Sequence, residues 1–395
     1  MKKKIIVSGV GCCLVDLLFK NIDFSGDTFR PYISLKRGDG GLTPGHLVFN
    51  EEFAEFAGSP FETVINKITG GRTPDKLNIG GPSIVALIHA AQLTDQEHCE
   101  IRFYGRGGND DAGKYLLSSL QKTPVVLRDY KLTENITPST VVLSDPGYNN
   151  GNGERVFINS IGAAWDYKPD DLDDDFFNSD LVVFGGTALV PAIHDHLTEL
   201  LERARSNGCI TIVNTVFDFR NEKLNPEQKW PLGNSEDSYH YIDLLIADQE
   251  EALRLSGETT VKAAIRFFQD KKVSALIITN GSKNISIFSD GQIFQKLALT
   301  EMPVSQKVID ELKYNKDGDT TGCGDNFAGG AIASIVNQLQ KGIRYPDILE
   351  ASSWGVVSGG FACFYMGGTW LEKKPGEKLT KILPYYESYV RQVRG

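Results

Sequence analysis

Residues 319–330, with the sequence DTTGCGDNFAGG, hold the strongest chemical pattern in the chain. Gly322 and Gly324 remove side chains where a helix is predicted to begin, so free N–H groups of its first turn can converge on an anion. Asp325 is predicted to lie in that turn, where the helix dipole keeps a carboxylate ionised. Such a carboxylate can accept a proton from a substrate hydroxyl. The segment therefore predicts an anion hole with a general base beside it.

Short apolar runs alternate with amphipathic stretches and predict the scaffold that positions this segment. This alternation is typical of an α/β fold with a mostly parallel sheet covered on both faces. The predicted strands are Lys4–Ser8, Ile101–Tyr104, Leu181–Phe184, Ile210–Val213, Leu244–Ala247 and Ala275–Thr279. The predicted helices are Pro82–Leu93, Asp111–Leu120, Ile193–Ser206, Glu250–Leu255, Val261–Gln269, Gly324–Gln340 and Asp347–Cys363. We expect residues 1–395 to form one domain.

Two stretches interrupt the alternation. Residues 17–79 are rich in Gly, Pro and polar side chains, whereas residues 125–160 hold extended runs around a turn-rich centre. The second stretch predicts a small antiparallel lobe, which part of the first stretch joins. Because such a lobe commonly closes over a site and excludes water, we expect both stretches to act as a lid.

Charge and composition exclude several classes of partner. The 395 residues include 41 basic and 51 acidic side chains, which gives a formal net charge of −10. An acidic surface repels phosphate backbones and anionic lipids, so we expect no nucleic-acid or membrane partner. The sequence has no apolar run of the ~18 residues that a membrane span needs. Six cysteines without C-x-x-C spacing indicate reduced thiols and a cytoplasmic location.

Four spaced motifs resemble those of one family. DTTGCGDNFAGG resembles the second signature of the ribokinase-like, or PfkB, family of carbohydrate and nucleoside kinases, and NIGGPSIVALIHAAQL from Asn78 resembles its first. FYGRGGNDDAGKYL and ERVFINSIGAAWDYKPDDL are similar to two further segments, the second of them a lid strand. GVGCCLVDLLF resembles a first strand that ends in a substrate-binding Asp, here Asp16. The resemblance runs from residue 5 to about 370 and implies a three-layer α/β/α sandwich with a small β lid.

The resemblance also implies a reaction, in which the γ-phosphate of ATP passes to a hydroxyl of a sugar or nucleoside with Mg²⁺ present. Asp325 is similar to the general base of the family, and Gly322, Cys323 and Gly324 to its anion hole. The implied substrate contacts are Asp16, Gly80 and Gly81, the implied nucleotide contacts are Thr279, Gly281 and Thr321, and the implied Mg²⁺ contacts, through water, are Asp248 and Glu251. A homodimer joined through the lid is a further candidate property.

Three positions depart from the family pattern. The Asn usual near Ile84 is missing, which predicts that a substrate contact is lost or moved. Asp248 replaces an Asn and adds negative charge beside the phosphates, which would either strengthen the metal requirement or weaken phosphate binding. Cys323 replaces Ala; the simpler interpretation is a tolerated small residue, and the alternative is a thiol whose pKa the helix terminus lowers.

Two other functional hypotheses remain open. A sugar or nucleoside sensor on the same fold is motivated by the missing Asn and by Asp248, although a sensor has no need of Asp325. A dinucleotide-dependent oxidoreductase is suggested by Gly9-Val10-Gly11 after a strand, but Leu14 stands where the third glycine would be. The acceptor stays open between sugar and nucleoside, although residues 35–56 resemble the adenosine-kinase side of the family.

Overall fold

The computed structural model describes residues 4–36, 38–151, 153–315 and 318–394. These residues form two β-sheets, a main sheet of nine strands and a small sheet of five. The strands are β1 (Ile5–Gly11), β2 (Leu14–Phe19), β3 (Leu47–Phe49), β4 (Lys76–Gly80), β5 (Cys99–Gly108), β6 (Val126–Thr133), β7 (Ser139–Asp145), β8 (Glu154–Ser160), β9 (Leu181–Gly185), β10 (Ile210–Asn214), β11 (Leu244–Asp248), β12 (Ala275–Thr279), β13 (Ile285–Ser289) and β14 (Leu297–Met302).

Helices pack against both sheets. They are α1 (Asn50–Ala57), α2 (Phe61–Thr69), α3 (Pro82–Leu93), α4 (Asp111–Leu120), α5 (Tyr148–Gly151), α6 (Asp174–Phe177), α7 (Pro191–Asp195), α8 (Leu197–Ser206), α9 (Phe219–Leu224), α10 (Gln249–Ser256), α11 (Val261–Asp270), α12 (Gln306–Leu312), α13 (Cys323–Gln340), α14 (Ile348–Ala362) and α15 (Glu377–Arg394). None of these described helices has the length and apolar character needed to span a bilayer.

The main sheet confirms the predicted parallel architecture. Its strand order is β14-β13-β12-β11-β10-β9-β1-β5-β6, parallel from β6 to β12 with an antiparallel edge at β13 and β14. One face packs against α3, α13 and α14, and the other against α8, α10 and α11. Every residue of β9 is buried, because a strand with helices on both sides has no exposed face.

The predicted helices are confirmed, with one exception. The helix expected over Ile193–Ser206 is divided at His196 into α7 and α8. Nδ1 of the His196 ring lies 2.9 Å from the carbonyl oxygen of Ala192, the acceptor that a continuous helix would offer to the backbone N–H of residue 196. The side chain thus competes with the backbone at this point.

The small sheet corrects the prediction for residues 125–160. Val126–Thr133, which was expected in the lobe, pairs in parallel with β5 at the edge of the main sheet. There the ring centroid of Tyr130 lies 6.0 Å from that of Phe103. The small sheet has the order β3-β8-β7-β2-β4. It is mixed rather than antiparallel, since β2 pairs with β7, and β3 with β8, in parallel. An alternating strand fits the edge of either sheet, so alternation alone does not assign β6.

The two faces of the small sheet differ in chemistry. One face is apolar and packs against α1, α2 and the loop before them, in a cluster that includes Val141, Leu143, Val156 and Ile158. The opposite face carries a polar row at one register, formed by Asn78, Asp16, Thr140 and Asn159 on adjacent strands. All four are buried, and Asn159 donates to the Thr140 hydroxyl over 2.9 Å.

Candidate active site

The site lies where the carboxyl ends of the main-sheet strands meet the polar face of the small sheet. After β1 ends at Gly11, the chain enters β2 directly, and the Cys12 N–H donates to the carbonyl of Gly185 at the end of β9. The prediction that Asp16 ends the first strand is therefore wrong, since Asp16 is the third residue of β2. Because β1 is followed by strand β2, Gly9-Val10-Gly11 is not a dinucleotide-binding motif, which requires a helix after the strand.

The amino terminus of α13 is open in the way an anion hole requires. Gly322 is its N-cap with φ +73°, and a Cβ there would lie 2.5 Å from Cα of Gly368. Among the described residues, no side chain caps this helix end. The Gly324 position is exposed, and apart from the backbone of its own helical turn and its two chain neighbours, no heavy atom of the described residues lies within 4 Å of where its Cβ would be. Gly322 is required by packing, whereas Gly324 leaves space for a ligand.

Asp325 lies in the first turn of α13, as predicted, and is partly exposed. Because protein atoms displace water around it, the pKa of the Asp325 carboxyl is raised to about 7. The sequence predicted the effect of the helix dipole, which favours the charged form, whereas burial at this position favours the neutral form. A carboxylate with a pKa near the working pH is well matched to general-base catalysis.

Asp16 lies opposite Asp325 on the small sheet, only 5% exposed. A Cβ on Gly80 would lie 2.2 Å from its Oδ2, so the glycine lets the backbone of β4 lie against the carboxylate. Burial, followed by the charges of Asp319 and Asp325, raises the pKa of Asp16 to about 8. The structure thus brings Asp16 against Gly80 and within the electrostatic influence of Asp325. Gly81 (φ +103°) follows as the N-cap of α3.

Arg155 is a site residue that the sequence analysis missed. From β8 its guanidinium donates to the hydroxyls of Thr320 and Thr321 and lies 3.6 Å from Oδ1 of Asp319. Its charge also opposes the rise in the pKa of Asp16. The alternation in ERVFINS held a signal, because Val156 and Ile158 share the apolar face and so place Arg155 on the other.

The predicted metal and nucleotide residues lie at the neighbouring strand ends. Asp248 caps α10 by accepting from the Glu251 N–H over 2.7 Å, and Glu251 accepts in return from the Asp248 N–H and from the Thr215 hydroxyl. Thr279 pairs with Asp248 across β11 and β12, and Gly281 follows with φ +55°. Burial, then the Asp248 charge, raises the pKa of Glu251 to about 8, and Asp325 adds to this rise.

These residues fit Mg²⁺ when it is held through water. Glu251 already uses Oε2 for two hydrogen bonds, whereas Asp248 is exposed. Mg²⁺ keeps several of its waters in protein sites, so an exposed carboxylate at this position suits it. In the described part of the chain, one group of three His, Cys, Asp or Glu side chains lies within reach of a single ion. It is formed by exposed Asp95 and Glu97 and half-buried His98, before β5 and thus at the opposite end of the sheet.

The structure explains two of the departures from the family pattern, at Cys323 and at Ile84. Sγ of Cys323 lies 3.2 Å from Sγ of Cys363. This hydrogen bond and burial raise the pKa of the Cys323 thiol, which favours the interpretation of a tolerated small residue. Ile84 is fully buried in the main core, so this position serves packing.

Comparison with known proteins decides the family. The model of the pfkB family carbohydrate kinases matches residues 76–354, more than half of the chain. This chain belongs to the PfkB family. An adenosine kinase of Schizosaccharomyces pombe is 24% identical over 261 residues, which cover 62% of this chain and 69% of the relative.

Solved PfkB-type structures share the fold. Ribokinase from Thermotoga maritima has a TM-score of 0.62 and 19% identity, with 96% of this chain and 99% of the other covered. Adenosine kinase from Schistosoma mansoni, in complex with 2-fluoroadenosine, has a TM-score of 0.68 and 18% identity, with 92% and 96% covered. The expected ribokinase-like α/β/α sandwich is therefore confirmed. Family membership makes this chain a phosphotransferase of the sugar and nucleoside kinase class.

Proposed function

We propose that this PfkB-family chain transfers the γ-phosphate of ATP to a hydroxyl of a sugar or nucleoside, with Asp325 as the general base. The observation that carries the proposal is the position of Asp325, beside an uncapped helix terminus and opposite the buried carboxylate of Asp16. One wall therefore offers a proton acceptor and backbone donors, and the other offers acceptors for substrate hydroxyls.

The proposed step needs three groups. Asp325 takes the proton from the acceptor hydroxyl, whose oxygen forms a bond to the γ-phosphorus while the bond from phosphorus to the β–γ bridging oxygen breaks and ADP leaves. The N–H group of Gly324, and that of Cys323 once it leaves its 3.4 Å contact with the Thr320 carbonyl, would face the charge on the transferring group. Arg155 lies at the same loop, so its guanidinium would neutralise further negative charge. Phosphoryl transfer depends mainly on such positioning and charge stabilisation.

ATP and Mg²⁺ are the implied co-substrate and cofactor. Mg²⁺ would neutralise phosphate charge when bound. We assign Asp248 and Glu251 to its water ligands, and Thr279, Gly281 and Thr321 to the nucleotide, since these residues follow adjacent strand ends or precede α13.

The small sheet is proposed to act as the lid, with residues 17–79 and 139–160. It reaches the catalytic loop through Arg155, and its polar row faces the site. Closure of this face over the strand ends would exclude water, so that the γ-phosphate passes to the acceptor and is not hydrolysed.

One cavity favours a nucleoside as acceptor. It has a volume of about 750 Å³ between the small sheet and the segment after β10, and Phe49, Phe217 and Phe219 line it. Phe49 and Phe219 meet edge to face at 6.4 Å. Aromatic walls suit the flat face of a base better than a free sugar.

The proposal is tested by Mg²⁺-dependent ADP release from ATP with a panel of sugars, sugar phosphates and nucleosides. We expect one acceptor to stimulate release, with a nucleoside giving the strongest response, and a phosphorylated product by mass spectrometry. An acceptor that binds, as measured by thermal shift, but never stimulates release would instead support the sensor alternative.

The homodimer stays a prediction, and packing counts against it. The apolar face of the small sheet is already covered by α1 and α2 of the same chain. A dimer through that face would require both helices to move. Light scattering should therefore give a mass near the 43.5 kDa of one chain, and twice that mass would restore the dimer.

A further inference from the structure

A buried lysine stands behind the proposed catalytic turn. Lys378, in the first turn of α15, is 1% exposed, although lysine is almost never fully buried without a partner. Its Nζ donates to Oδ1 of Asn326 over 3.2 Å. Asn326 directly follows Asp325 and is itself fully buried. The C-terminal helix is thereby linked to the start of α13.

The side-chain amide of Asn326 is held on both sides. Nδ2 donates to the carbonyls of Gly322 and Gly368, each over 2.8 Å, while Oδ1 accepts from Lys378 and, over 3.1 Å, from the Tyr365 hydroxyl. An amide has one accepting and one donating end, so two donors at Oδ1 fix which way it points. In that orientation Nδ2 ties together two backbones that already touch at Gly322.

We propose that Lys378 is a positioning residue for phosphoryl transfer, which acts through Asn326 to fix the turn from Gly322 to Asp325. The inference rests on the proposed function, because that function makes this turn the wall against the transferring phosphate. Removal of the lysine leaves Oδ1 with a single donor, Tyr365, and so loosens the amide, which Nδ2 still ties to the two carbonyls. The N–H groups of the turn would then be held less firmly in the direction that phosphate stabilisation requires.

The charges around Lys378 are compatible with this role. Burial lowers its pKa to about 7, and Glu372 opposes the shift. His89, which faces it from α3, is kept neutral because burial and the lysine charge lower its pKa. A neutral amine still donates a hydrogen bond, so the contact with Asn326 survives in either protonation state.

The kinetic test uses Lys378→Met, which keeps the apolar stem and removes the donor. We expect kcat to fall about ten-fold with the KM for acceptor unchanged, as for a lost interaction of ~1.4 kcal/mol made in the transition state. Lys381→Met, one turn along the same helix and exposed, is the matched control and should keep kcat. Because Lys378 acts through Asn326, Asn326→Ala and Lys378→Met should be non-additive in the double variant. Strict additivity would overturn the proposal.

A second readout does not depend on activity. Amide hydrogen exchange over residues 319–326 should be faster in Lys378→Met than in the wild type and in Lys381→Met, while the melting temperature changes little. Lys378→Gln, which keeps a donor, serves if the Met variant fails to fold and should exchange at an intermediate rate. Exchange equal to the wild type in the folded variant contradicts the positioning role. Wild-type protein without turnover on any acceptor contradicts the proposed function instead.

Discussion

The two sheets of this molecule bury their side chains in different ways. The main sheet is apolar on both faces, as in β9, so it can present chemistry only at its strand ends and at helix termini beside them. The small sheet has one apolar face and one polar face, so it presents a row of side chains that includes Asp16 and Thr140. The difference suggests a division of labour, in which the main-sheet side carries the reacting groups and the small sheet binds the acceptor.

The largest expected effect is on the main-sheet side. Asp325→Asn removes the proton acceptor but keeps the volume, so kcat should fall at least ~100-fold. The KM for ATP should change little, because Asp325 acts on the acceptor hydroxyl. Steady-state kinetics at saturating ATP would measure both values. Turnover near the wild-type rate in the folded variant would remove Asp325 from the mechanism.

Arg155→Gln tests the one small-sheet residue that we expect to take part in the reaction rather than in acceptor binding. Arg155 belongs to the small sheet, but its guanidinium contacts the loop before α13. We expect kcat to fall about ten-fold to 100-fold, within the range for loss of one donor to transition-state charge. Arg128→Gln, at an exposed arginine paired with Asp175, is the control and should be neutral. A change confined to the KM for acceptor would place Arg155 with the binding groups.

Asp16→Asn sharpens the comparison from the small-sheet side. Asp16 is mostly protonated in the free protein, and substrate hydroxyls that donate to it would favour its charged form. A hydrogen bond to a charged group is worth ~1.5–3 kcal/mol. The KM for the acceptor should therefore rise about ten-fold or more, which is the scale of one such contact. The kcat should stay within about three-fold of the wild type, because a contact made equally in the ground state and the transition state affects only KM. Asp27→Asn, at an exposed position of the same lobe, should change neither value.

A further expected effect is on stability rather than on the kinetics. The pKa of Asp16 rises from 3.8 to about 8 on folding, so the folded state holds a proton that the unfolded state releases. This contribution to stability is present below about pH 4 and is lost as the pH rises to about 8. Asparagine does not titrate, so Asp16→Asn abolishes this loss of stability at high pH. The variant should therefore be more stable than the wild type at pH 8 by at least ~2 kcal/mol, given ~1.4 kcal/mol per pKa unit.

Urea unfolding at pH 5 and pH 8 would measure that difference. The gap between wild type and Asp16→Asn should widen with pH, and Asp27→Asn should show no such widening. A gap that is constant over this range would mean that Asp16 is ionised in the folded protein.

The sequence predicted the parts of the structure that depend on local pattern. Six strands of the main sheet (β1, β5 and β9 to β12), the start of α13 and the glycines at Gly322 and Gly324 follow from periodicity and from residue types within one turn. Helix α3 begins and ends where its pattern predicts, at Pro82 and Leu93. These features need no contact with a distant part of the chain.

The remaining features depend on contacts that are far apart in sequence. Arg155 and Thr321 are separated by 166 positions, and Lys378 and Asn326 by 52, so spacing held no sign of either contact. The raised pKa of Asp325 depends on desolvation, which is known only once the surrounding atoms are placed. β6 and β7 alternate in the same way, yet they belong to different sheets.

Acceptor saturation curves for the wild type, Asp325→Asn and Asp16→Asn, recorded together with the acceptor that the panel identifies, test the central claim most directly. The division of labour predicts that Asp325→Asn lowers the plateau at least ~100-fold and leaves the midpoint nearly unchanged. It predicts that Asp16→Asn moves the midpoint to higher concentration and nearly keeps the plateau. A plateau that survives in Asp325→Asn, or one that collapses equally in both variants, would contradict it.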